Sequence, residues 1–167
     1  MAITEDGSTP AVVSSTASVS TRVTTSFSPP ANSLLVAMVG CFSSGSNGVI
    51  TVTDSGSHTW TKALESVGHT TVAIWRCQLT TAPGSITVTG TYSNNAGDEY
   101  LAVRVLTGAA TSQTGAGTAT HLVTSSTTAD TYSLTTTQTN SIVYGIADNW
   151  SNSSVLTPNA ATTPPAS

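Results

Sequence analysis

The sequence predicts an all-β domain, an antiparallel two-sheet β-sandwich of jelly-roll type, and three observations carry that expectation. Thr, Val, Ile and Tyr dominate the segments between clusters of Gly, Pro, Asn and Ser, the composition preferred by a pleated, half-buried surface. Helical periodicity is nearly absent. No stretch offers the long crossover, usually a helix, that parallel strands require, so neighbouring strands pair as hairpins.

The elements follow in chain order. Residues 1–13 form an N-terminal arm, 14–158 the sandwich and 159–167 a Pro-rich tail without core-forming residues. Ala11–Val19 and Thr21–Phe27 are the first strands, ended by the turn Ser28-Pro-Pro-Ala-Asn32. Ser33–Phe42 follows; its run Leu34-Leu-Val-Ala-Met-Val39 is apolar at every position, which predicts burial on both faces. Gly45-Ser-Asn-Gly48 leads to Val49–Thr53, and Asp54-Ser-Gly-Ser57 to Thr59–Leu64.

Thr70–Leu79 and Ser85–Tyr92 are joined through Ala82-Pro-Gly84. In the latter, Ile86, Val88 and Gly90 alternate with Ser85, Thr87 and Thr89, so one face is wet. Ser93-Asn-Asn-Ala-Gly97 turns the chain into Glu99–Thr107. Thr118–Thr124, Thr131–Thr136 and Ser141–Ala147 complete the expected set. Continuous apolar runs at Tyr100-Leu-Ala-Val103 and Ile142-Val-Tyr144 join Ser33–Phe42 as three central strands expected to form the core of two packed sheets.

At 167 residues the chain is long enough to bury one core without metals or many disulfides. Only 7% of residues are charged, against about a quarter in ordinary domains. About a third are Ser or Thr, so hydroxyls rather than ions solvate the surface. The mean hydropathy of +0.10 argues for a folded chain. With four Lys+Arg and a net charge of −4, no cationic stripe for nucleic acid can form. No apolar run approaches the length that would span a bilayer as a helix. Met1-Ala-Ile-Thr-Glu-Asp6 lacks a basic region followed by an apolar one, so release on an assembled particle is the expected route to an extracellular role.

Catalytic and cofactor chemistry is not expected. His58, His69 and His121 coexist with many serines, yet no G-x-S-x-G elbow is present. The carboxylates fall mostly in turns or at strand ends, without a dedicated pair. No metal-site spacing or phosphate-binding loop occurs, so neither a metal nor a cofactor is predicted. Cys41 and Cys77 lie in separate apolar segments: two buried thiols or one disulfide both fit.

Aromatic residues are the candidates for recognition, because exposed rings offer flat apolar faces. Trp75 shares a face with Ala73 and Cys77, and Tyr144 alternates with Ile142 and Ile146, so both are expected inside. Trp60 follows the turn holding His58, and Trp150 lies in the polar segment Asp148-Asn-Trp-Ser-Asn152. Trp60, Trp150, Tyr92 and His58 are therefore the candidate ligand-binding residues. The alternative for the tryptophans is closing the sandwich at its rim.

The motifs Phe27-Ser-Pro-Pro-Ala-Asn-Ser-Leu-Leu-Val-Ala37, Ile50-Thr-Val-Thr-Asp-Ser-Gly-Ser-His-Thr-Trp60, Val72-Ala-Ile-Trp75 and Ala82-Pro-Gly-Ser-Ile-Thr-Val88 resemble a β-sandwich module of actinobacteriophage virion proteins, found also in some bacterial surface proteins. The resemblance covers about Ser14 to Pro158 and implies a non-catalytic role in tails, fibres or capsid decoration, at a particle surface. The partners it implies are other virion proteins, further copies of this chain in a homo-oligomer, and host-surface glycans. Such modules usually continue into a further hydrophobic strand after the Trp150 region, where this chain has a Pro-rich tail. An open sheet edge filled by a neighbouring subunit or by the N-terminal arm is the expected consequence.

Overall fold

The structure, a computed structural model, describes residues 2–42, 49–68, 70–93, 97–109 and 141–146. Among the described residues nine strands run in chain order: β1 (Thr4–Glu5), β2 (Val13–Ser15), β3 (Thr21–Val23), β4 (Ser33–Phe42), β5 (Val49–Asp54), β6 (Thr61–Ser66), β7 (Thr70–Leu79), β8 (Val88–Ser93) and β9 (Gly97–Thr107). All pairings are antiparallel. One sheet has the order β1-β9-β4-β7-β6, with β2 also on β9; the other is β3-β8-β5. They pack face to face as a β-sandwich around one core.

The apolar run of β4 makes it the centre of the larger sheet, between β7 and β9. Its alternate side chains Leu35, Ala37, Val39 and Cys41 meet Val103, Val105, Ala73 and Cys77 in the core shared with Ile50, Val52, Val88 and Tyr92 of the smaller sheet. Its other face is covered as well, since Val36 and Met38 are each only 8% exposed. Burial on both faces therefore follows from the absence of polar alternation.

Gly40 interrupts this run for a steric reason. The Tyr100 ring of the neighbouring β9 lies across it where a Cβ would stand. Gly97 starts β9 at φ 134°, with the Thr16 carbonyl oxygen 2.8 Å from where a Cβ would stand; both conditions exclude an ordinary side chain.

The N-terminal arm is laid along β9. Thr4 and Glu5 pair with Thr107 and Leu106, and Val13–Ser15 with Leu101–Glu99. Between these points Asp6 N donates to Val105 O, and Val105 N to Thr9 Oγ1. At the opposite edge β6 carries a register shift between Lys62 and Leu64 together with charged side chains, both of which discourage further pairing.

Ser33–Phe42 and Thr70–Leu79 span their expected ranges, whereas other strands differ. Ala11–Val19 contracts to Val13–Ser15, because Ser15 Oγ accepts from Ala17 N and turns the chain. Thr21–Phe27 contracts to Thr21–Val23 plus an isolated bridge between Phe27 and Ile86. The expected Ser141–Ala147 strand is corrected: residues 141–146 are irregular, with Ile142 42% and Val143 53% exposed, so this run is no third central strand. Thr118–Thr124, Thr131–Thr136 and the 159–167 tail lie outside the described residues.

Candidate functional site

The turn leaving β5 builds the most organised polar cluster that contains candidate residues. Asp54 is the last residue of β5 and faces inward opposite Val88, and its carboxylate has no exposed surface. Oδ1 accepts from Gly56 N at 2.7 Å, from His58 N at 3.4 Å and from His58 Nδ1 at 2.8 Å. Oδ2 accepts from Trp60 Nε1 at 2.6 Å. Ser57 takes φ 58° to close the turn, and the His58 ring lies over Gly56.

Burial alone would raise the Asp54 pKa. The donors from Trp60, His58 and Gly56 outweigh it and hold the carboxyl below its ordinary value. An ionised acceptor requires a proton on Nδ1, so His58 donates to Asp54 through that nitrogen. The His58 side chain is 27% exposed. Two members of a hydrolytic triad are thus present in outline, but among the described residues no hydroxyl hydrogen-bonds to His58.

Trp60 is half-buried and, like Trp75, packs against the core. Lys62 Nζ sits 5.6 Å from the centre of the Trp75 ring and 2.6 Å from Glu65 Oε2. The rim therefore combines an imidazole edge, two partly exposed indoles and one surface ion pair. Among the described residues, no three His, Cys, Asp or Glu side chains converge to hold a metal ion.

A second polar cluster ties the sheets together at the far side. Glu99 of β9 is 1% exposed and accepts from Val19 N at 3.1 Å and Arg22 Nη2 at 2.9 Å; Arg22 also donates to Ala17 O. A shallow groove of about 200 Å³ lies beside it, lined by Ser14, Ser15, Thr16, Asp98, Glu99 and Tyr100. The sequence places Glu99 only at a strand end. Its partner is 77 positions away, so no local signal marks the pair.

The other candidate residues fare differently. Tyr92 is corrected: it is 2% exposed, its hydroxyl donates to Tyr100 O at 2.8 Å, and burial pushes its pKa far up, so it has no face for a ligand. Its place on the core side of β8, in phase with Val88, explains this. Trp150 lies outside the described residues. Tyr144 is half-buried, with its hydroxyl raised by burial and by nearby Glu5.

Cys41 and Cys77 are both buried and form no disulfide, which corrects the disulfide alternative. Cys77 pairs with Leu35, six residues along β4 from Cys41. That is about 20 Å of extended chain, far beyond a bridge. Burial and then the Asp54 carboxylate push the Cys77 thiol up to about 11.

Comparison with family models, curated proteins and solved structures finds no match to this chain.

Proposed function

We propose that this chain is a non-catalytic structural domain of a bacteriophage virion, a capsid decoration or minor tail or fibre component acting through protein contacts at the particle surface. The observation that carries this reading is the outward side of the β3-β8-β5 sheet, an ordered and uncharged set of threonines rather than a reactive cleft. The motif resemblance supports it from the sequence side. Strand-borne neutral surfaces suit symmetric assembly, in which one patch is used repeatedly. The test is binding of the purified chain to isolated capsids and tails, with saturable binding to one of them expected. Binding to neither would refute the proposal.

The second reading is a glycan-binding module, favoured by the partly exposed Trp60 and His58 held side by side by Asp54. A glycan array gives hits on this reading, and His58→Ala weakens them without unfolding the domain. An array without hits removes it.

A further inference from the structure

The charged side chains of the described residues are distributed unevenly between the two sheets. Glu5, Lys62, Glu65, Arg76, Asp98, Glu99 and Arg104 all belong to strands of the larger sheet. On the smaller sheet only Arg22 and Asp54 are charged, and both turn inward: Arg22 to Glu99, Asp54 to Trp60. The outward side of β3-β8-β5 is left with no ion.

The strand registers order that side into two rows, Thr21–Thr91–Thr51 and Val23–Thr89–Thr53. Thr21, Thr51, Thr53 and Thr91 are exposed, Thr89 is half-buried, and Val23 is 46% exposed. Ile50, Val52, Val88 and Tyr92 are buried directly behind them. β-branched side chains on such a backing are confined at χ1, so immobilising them against a partner costs less entropy than it would for Lys or Glu.

We propose that this threonine face is an isologous contact between two copies of the chain, packed sheet to sheet across a twofold axis near Thr91. The inference rests on the virion reading and names one of its partners. Threonine hydroxyls both donate and accept, so these rows are complementary to a second copy of themselves, and with no ion among them two chains of net charge −4 meet here without like charges set directly opposite. The rows hold no aromatic ring for a sugar to stack on and no cation for a phosphate.

Strands about 4.8 Å apart, β5 and β8 about 20 Å long and β3 about 10 Å, give roughly 250 Å², against about 800 Å² per partner in a standard interface. A pair of free chains therefore associates weakly. Many copies tethered on one particle strengthen the contact by raising its effective concentration.

Sedimentation equilibrium from micromolar to millimolar concentration tests this. The wild-type mass is expected to rise above 16.8 kDa with concentration. Thr91→Arg places two cations across the axis and abolishes the rise, as does Thr51→Arg on the adjacent strand. Thr4→Arg makes the same charge change on the other sheet and leaves the rise intact, with circular dichroism confirming that all three variants fold. A wild-type mass fixed at 16.8 kDa, a Thr91→Arg chain that associates normally, or loss in Thr4→Arg as well overturns the contact. Those outcomes are separate from the capsid and tail binding that tests the broader reading.

Discussion

Replacing Asp54 by Asn keeps a carbonyl oxygen for the turn amides of Gly56 and His58 but sets an amide NH2 against the Trp60 indole N–H. The change removes a charge-assisted bond of 2.6 Å and leaves a donor inside the rim without an acceptor. A hydrogen bond to a charged group contributes about 1.5–3 kcal/mol, and an orphaned buried donor costs about 1–3 kcal/mol. Because the two describe one loss from two sides, the expected destabilisation is about 2–3 kcal/mol for Asp54→Asn. Asp54→Ala also abandons Gly56 and His58, and about 3–5 kcal/mol follows.

Urea denaturation followed by tryptophan fluorescence measures both. The cycle with Trp60→Phe isolates the bond, since removing the indole N–H should make Asp54→Asn cheaper by about 1–3 kcal/mol. The same carboxyl sets an acid limit. Its pKa is depressed in the folded state, so it contributes stability above the ordinary value of 3.8, which is lost as pH falls through the lower folded value. Asp54→Asn should flatten that limb of the stability curve. An Asn variant within about 0.5 kcal/mol of the parent, or strictly additive effects in the cycle, would refute the role assigned to Asp54.

Arg22→Ala removes the guanidinium that faces the buried Glu99 carboxylate and should cost about 3–5 kcal/mol, whereas the apolar pair Arg22→Met with Glu99→Leu recovers much of it; chemical denaturation of the three variants distinguishes them. Both thiols should resist a thiol reagent in the native chain and react fully in denaturant, with electrophoretic mobility unaffected by reductant. Gly40→Ala drives a methyl into the Tyr100 ring and should lower stability by about 1–3 kcal/mol, with Tyr100→Ala in the same chain relieving it. Tyr92→Phe loses the bond to Tyr100 O and should cost about 1 kcal/mol, and native Tyr92 should stay silent in a spectroscopic titration through the ordinary tyrosine range.

The features legible in the residues were those that depend on near neighbours. Period-two alternation and the turn clusters located most described strands, and the unbroken apolar run of β4 announced burial on both faces because no polar side chain there could face water. Asp54-Ser-Gly-Ser57 was visible as a turn, with Trp60 at a sheet end. The carboxylate's second oxygen meeting the indole was not visible, because it depends on how β6 re-enters beside β7.

Amino-acid order alone settled the fold class, since backbone hydrogen bonding and side-chain alternation are local properties of an extended chain. Tertiary structure decided which side of each strand faced the other sheet. That choice buried Tyr92, kept Cys41 and Cys77 apart, joined Arg22 to Glu99 across 77 positions and left the β3-β8-β5 threonines outside. The separation of the cysteines and the Arg22–Glu99 pair are set by long-range strand register, which spacing along the chain does not encode, whereas Tyr92 stands in phase with the Ile86, Val88 and Gly90 alternation that the residues already carry.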